Sequence, residues 1–223
     1  MTRHAMTRHT RFVTLRGGAA ALFAVLVGAS AGAAQDNRPS GWKWVSDMPA
    51  ADTSWSFNRM PPGWHITTGP GVLAWDDRHA FDGRYHVEAE MILFPDPGPE
   101  GFGLFVAGRE LETAGSEYVA FLIRADGAAG VFRVQGGRSE PLAEWRPAAG
   151  VRRHEGTGTV SNTLRVEVEG TEAVFRVNGE EAVRVPTASL EGGGRTGFRI
   201  GAQINVHITT LDVMQRLAPP RGS

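Results

Sequence analysis

The chain has 223 residues, enough for one large domain with its own apolar core, and its 41% hydrophobic and 21% charged content is that of a globular protein. Its 23 basic and 24 acidic residues nearly cancel, which argues against nucleic acid and anionic membrane as partners. There is no cysteine, which excludes a catalytic thiol, thiolate-bound zinc and iron–sulfur clusters, and leaves the fold to hold by burial without disulfides.

Residues 1–34 read as a secretory signal peptide. Arg3, Arg8, Arg11 and Arg16 form a basic start without an acidic residue, Ala19 to Gly28 is an apolar run too short to span a bilayer, and Ala-Gly-Ala-Ala at 31–34 supplies small residues for cleavage. No cysteine follows to carry a lipid. These residues hold four of the basic groups and none of the acidic ones, so the remainder has a formal charge of −5. The mature protein is therefore expected to be secreted or periplasmic and not to be membrane-bound. Residues 35–52 are expected to be a linker and N-terminal segment, 53–217 the folded domain, and 218–223 a disordered tail.

From Trp42 onward the hydrophobic period is two. In Arg84–Phe94, Tyr85, Val87, Ala89, Met91 and Leu93 face one way, and His86, Glu88, Glu90, Ile92 and Phe94 the other. Phe102–Ala107 and Tyr118–Arg124 are short apolar runs of the kind that is buried on both faces, and Gly130–Gln135 follows the Asp126-Gly127 turn. Thr163–Glu169 alternates again, and Ala173–Val177 runs back to Asn178-Gly179, the pair favoured in a type I′ hairpin because both residues need positive φ. Ala182–Val185, Thr196–Ile200 and Ile204–Met214 complete the set, with one short turn at Ala188–Leu190. No segment after residue 34 has a helical apolar stripe. With 29 Gly and 13 Pro to make turns, these strands predict an all-β fold, a sandwich or barrel.

Several polar groups stand out. Glu88 and Glu90 lie two apart on one strand, so their side chains leave the same face about 6.5–7 Å apart. That spacing falls within the ~5–9.5 Å of glycosidase carboxyl pairs, and two such groups can divide acid and base roles; it also suits a solvated strand face. His86 shares the face, and His-x-Glu-x-Glu carries donor types for a divalent ion, but three side chains on one flat strand converge poorly and no metal is expected. Gln203, Asn205 and His207 form a polar row fit to bond sugar hydroxyls, or a plain solvent face. Five of the six Trp fall between Trp42 and Trp75. Aromatic rings stack on sugar C–H faces or fill cores; Trp64 beside His65, Trp75 beside Asp76-Asp77, and Trp145 in an expected loop at Glu144–Pro147 are candidates for the exposed, ligand-binding role. Arg124 ends an apolar strand, where it can meet a ligand or pair with Glu90. Asp76, Asp77 and Asp82 offer calcium-type oxygens, but without EF-hand spacing and in a turn where Asp caps amides, so no cofactor is expected. Gly-x-Ser-x-Gly, phosphate-loop and His-Glu-x-x-His motifs do not occur.

The stretches WHITTGPGVLAWD, FDGRYHVEAEM, FGLFVAG, YVAFLIRADG and NTLRVEVEGTEAVFRVNG resemble the concanavalin A-like lectin/glucanase superfamily over about residues 53–214. They are similar to a bacterial domain-of-unknown-function family described as 3-keto-disaccharide hydrolase-like, and secondly to laminin-G-like domains. The resemblance implies an all-β, two-sheet antiparallel β-sandwich, a jelly roll of concanavalin A type, often with a sugar-binding face. It implies Glu90 as a strand glutamate of the hydrolase-like family. The Glu-x-Asp-x-x-Glu strand of family 16 glucanases is cut short here, since Glu88-x-Glu90 is followed by Met91, Ile92 and Leu93. Three readings stand: a lectin-like domain with a glycan or polysaccharide as partner, a glycoside hydrolase-like enzyme using Glu90 and Glu88, and a laminin-G-like protein-interaction domain with a flat apolar patch.

Overall fold

The computed structural model describes residues 39–48, 55–190 and 193–216; the expected signal peptide and tail lie outside the described residues. Among the described residues, fourteen strands form two seven-stranded antiparallel sheets. The first sheet orders β1 (Trp42–Ser46), β4 (Val72–Phe81), β13 (Gly194–Ile200), β6 (Phe102–Arg109), β7 (Glu117–Ile123), β8 (Ala128–Gln135) and β9 (Arg138–Pro147). The second orders β12 (Glu180–Pro186), β11 (Glu172–Val177), β10 (Val160–Glu169), β5 (Tyr85–Leu93), β14 (Asn205–Gln215), β3 (Trp64–Thr67) and β2 (Ser56–Arg59). This is the concanavalin A-like jelly-roll sandwich that the alternation and the resemblance predicted. Trp42 on β1 reaches the core from inside the expected 35–52 segment, stacking on Phe198 at 5.1 Å.

The period-two pattern builds the space between the sheets. On β5 the inward set Tyr85, Val87, Ala89, Met91 and Leu93 is buried, as are Leu164, Val166 and Val168 on β10. Phe121 of β7 and Phe175 of β11 meet edge to face across the interlayer, 5.6 Å between centroids. Each such side chain stabilises the sandwich by about 1.5–3 kcal/mol.

Turns and irregularities place the rest. Asn178 and Gly179 have φ of 52° and 86°, as a type I′ turn requires, and join β11 to β12. A bulge between Ile208 and Thr210 on β14 shifts the alternation, so that Val206 and Ile208 face the core before it and Leu211 and Val213 after it. A 3₁₀ turn spans Thr187–Leu190.

Candidate functional site

The central strands of the first sheet are apolar on both faces. Phe102, Leu104 and Val106 of β6 and Val119, Phe121 and Ile123 of β7 face the second sheet. The alternate residues, Leu73 and Trp75 of β4, Phe105 of β6, and Tyr118, Ala120 and Leu122 of β7, form a second buried cluster on the outer face, joined by Leu111. An antiparallel sheet usually gives its outer face to solvent. An apolar outer face therefore marks something to be covered or bound.

Register shows how a cleft opens there. One row runs Val45, Leu73, Arg199, Gly103, Leu122 and Gly130 across β1, β4, β13, β6, β7 and β8. The next carries Gly197, Phe105, Ala120 and Phe132. Small residues in mid-sheet leave a trough between larger ones. A Cβ on Gly103 would stand 2.3 Å from the Phe121 carbonyl oxygen, so this position admits no side chain without backbone movement. The cleft lined by Val45, Leu73, Ala120, Leu122, Phe132 and Arg199 of these rows holds about 610 Å³, within the ~300–1,000 Å³ usual for small-ligand sites.

Its walls differ in chemistry. On one side Trp145 packs against Phe132 with centroids 5.0 Å apart, and the Arg124 guanidinium lies 4.8 Å from the Trp145 ring centroid. The indole needs Gly101 and Gly130 beneath it, because a Cβ at Gly101 would sit 2.5 Å from Trp145 Cη2. Arg124 is fixed by Asp126, with Nε donating to Oδ1 at 3.3 Å and Nη2 to Oδ2 at 2.5 Å. On the other side Arg199 donates through Nη1 to Asp47 Oδ1 at 2.9 Å and through Nη2 to Oδ2 at 2.7 Å. Burial works against the Arg199 charge, and the neighbouring Tyr118 and Asp47 more than offset it. Burial pushes the Tyr118 hydroxyl up, so it stays protonated as a donor. Glu100 Oε2 accepts from the Ala202 amide at 2.8 Å at the end of the cleft. Stacking surface, hydroxyl and charged hydrogen-bonding groups thus share one depression.

Of the candidates named from sequence, the structure brings Arg124 and Trp145 to this cleft. Trp145 stands on edge strand β9, not in a loop, and Arg124 pairs with Asp126 instead of Glu90. Trp64 packs on the core with Trp42 and Phe198. Trp75 is buried, not exposed, because the second cluster closes over β4; its Nε1 donates to Asp77 Oδ1 at 3.1 Å.

The remaining candidates lie away from the cleft, on the second sheet or its loops except for Asp76 and Asp77, which stand on β4 of the first sheet. Glu90 accepts from Ser161 Oγ at 2.8 Å and Thr209 Oγ1 at 2.5 Å, bonds that hold its carboxyl below the usual range. Glu88 accepts from Arg165 Nη1 at 3.2 Å. His86 is buried, with Nε2 3.7 Å from Asp212 Oδ2. His65 and His207 rings stand 6.0 Å apart, His207 Nε2 donates to the Pro62 carbonyl at 2.9 Å, and Asn205 Oδ1 accepts from Thr67 Oγ1 at 3.3 Å. Gln203 sits in the turn before β14, at φ 57°. Asp76 is clamped by Arg78, and Asp77 is held at about 2 by Lys43, against a burial penalty, with help from Arg195 and Trp75. Among the described residues, no three His, Asp or Glu side chains are grouped to hold a metal.

Tyr118, Phe132, Asp47, Glu100 and Arg199 were missed. The signal for Tyr118 was the two-faced apolarity of β6 and β7, and that for Arg199 a single charge in the Gly197–Gly201 run at the end of β13; Phe132, Asp47 and Glu100 carried none.

No family model matches the sequence, and no curated protein does. The fold has many solved counterparts. It is similar to carbohydrate binding module CBM66 from Bacillus subtilis, at a TM-score of 0.58 and 11% identity, over 78% of this chain and 94% of that one. It is similar to a Bacillus subtilis protein of unknown function with a galectin-like fold, at 0.57 and 12%, over 81% and 93%. A third is the GH16 protein of the Bacteroides ovatus mixed linkage glucan PUL, solved with a product bound, at 0.54 and 9%, over 78% and 94%. At these identities the likeness shows the concanavalin A-like fold.

Proposed function

We propose that this protein is an exported carbohydrate-binding domain that holds a glycan or polysaccharide in the outer-face cleft of the first sheet, without covalent chemistry. The observation that carries the reading is the pairing of Trp145 and Tyr118 with Arg199–Asp47, Arg124 and Glu100 in one 610 Å³ depression. Sugars are amphipathic, with C–H faces that stack on aromatic rings and hydroxyls that need donors and acceptors together. Fold neighbours that include a carbohydrate-binding module agree with this. The apolar N-terminal segment supports export through a cleaved signal at residues 1–34.

Hydrolysis on Glu88 and Glu90 draws less support from the geometry. A general acid needs a raised pKa and reach to the ligand, whereas the Glu90 carboxyl is held down by two hydroxyl donors.

Calorimetric titration of the purified protein against a glycan panel tests the binding reading. At least one saccharide should bind, and Trp145→Ala should weaken it about 10–100-fold while keeping the thermal transition. Silence across the panel sinks the proposal. Turnover of oligosaccharides or 3-keto-sugars that falls in Glu90→Gln would replace it with the hydrolase reading. N-terminal sequencing of the exported protein tests cleavage near Ala34.

A further inference from the structure

The charged groups of the cleft say which class of saccharide it takes. Four charged side chains line it, Asp47, Glu100, Arg124 and Arg199, two of each sign. Neither guanidinium stands open, since Arg199 is forked onto Asp47 and Arg124 is joined to Asp126. We infer that the cleft is a site for neutral saccharides and discriminates against uronates and other acidic glycans, an inference that rests on the carbohydrate-binding reading above.

The physical reason is the cost of breaking the Arg199–Asp47 pair. A ligand carboxylate reaching Arg199 would either displace Asp47 or take the remaining N–H groups with its charge set beside Asp47 and near Glu100. Removing one partner of a partly buried pair strands a charge in low dielectric. A hydroxyl asks for no such exchange. Arg199 has five N–H donors and spends two on Asp47. The Asp47 carboxylate keeps lone pairs beside them, so a donor and an acceptor lie side by side at fixed spacing. Adjacent sugar hydroxyls, each able to donate and accept, match such a pair without disturbing it.

The test is a titration of the full protein with matched neutral and acidic polymers: β-glucan, xylan and fructan against polygalacturonate, alginate and hyaluronan. Each is run at low and high ionic strength, about 0.02 and 0.5 M, to vary screening. The expected result is binding to a neutral polymer with little salt dependence and none to the acidic set. Asp47→Asn should leave Arg199 uncompensated and raise affinity for acidic polymers by about tenfold at low salt. Glu100→Gln, which keeps an acceptor for the Ala202 amide, should shift selectivity in the same direction and serves if Asp47→Asn melts. Salt-sensitive binding of an acidic polymer by the unaltered protein, lost on Arg199→Gln, would overturn the charge inference and leave the carbohydrate reading standing. Failure to bind any polymer would take both down.

Discussion

The two outer faces of the sandwich are organised in opposite ways. On the second sheet, Arg165 bridges Glu88 and Glu167, Arg176 joins Glu167, and Arg184 joins Glu172 and Glu181. Each of these groups finds its partner on its own strand or on a neighbouring one, so the face satisfies itself. On the first sheet the equivalent positions are Leu73, Gly103, Leu122 and Tyr118, with ion pairs at their borders such as Arg199–Asp47 and Arg124–Asp126. A face whose polar groups answer one another offers a ligand only competition with existing bonds. A face with a hollow, aromatic rings and few polar groups gains by being filled.

Substitutions can break this contrast at graded cost. The largest effect is common to both faces: Phe175→Ala removes the ring that meets Phe121 between the sheets. It should cost about 3–5 kcal/mol, read as a lower denaturation midpoint in guanidinium. Next, Trp145→Ala should weaken saccharide binding about 10–100-fold in titration while changing stability little. Acid sensitivity comes third. Burial lowers the pKa of His65 and of His79 below 6.5. The unfolded chain then takes up protons first as pH falls, so stability is complete above about pH 6.5 and declines below it. Melting temperatures from pH 7 to pH 5 should drop, and a His65→Gln, His79→Gln double variant should drop less. The smallest effect belongs to the self-satisfied face. Arg165→Ala opens a half-exposed ion pair and should cost no more than about 1 kcal/mol by thermal melt, with saccharide affinity unchanged.

The contrast also explains what the sequence disclosed. Inward sets such as Tyr85 to Leu93 and Leu164 to Val168 were legible because one face of each strand is core and the other polar. The Asn178-Gly179 turn was legible because its chemistry is local. The site was harder. Glu88 and Glu90 drew notice as a polar row, yet such a row follows from half-exposed pleating alone. Tyr118, Leu122 and Arg199 drew none, because their relation depends on register between strands distant in sequence, Arg199 pairing with Gly103 and Gly103 with Leu122. The cue lay in β6 and β7, which carried more apolar residues than one core can use. Trp145 was legible as a ligand-binding candidate, but Pro141 and the charges around it made its strand β9 read as loop.

That edge position has a consequence for how the cleft behaves. Arg199 and Tyr118 stand on β13 and β7, each hydrogen-bonded to strands on both sides, whereas β9 is paired on one side and its ladder with β8 is broken by bulges. One jaw of the cleft is therefore anchored mid-sheet and the other hangs on a rim that opens more cheaply. Amides of β9 should exchange with deuterium faster than those of β7 in the free protein and slow on saccharide addition. If the cleft holds a glycan as proposed, a single rigid jaw with a compliant one opposite would grip polymers of differing thickness without losing register on their hydroxyls.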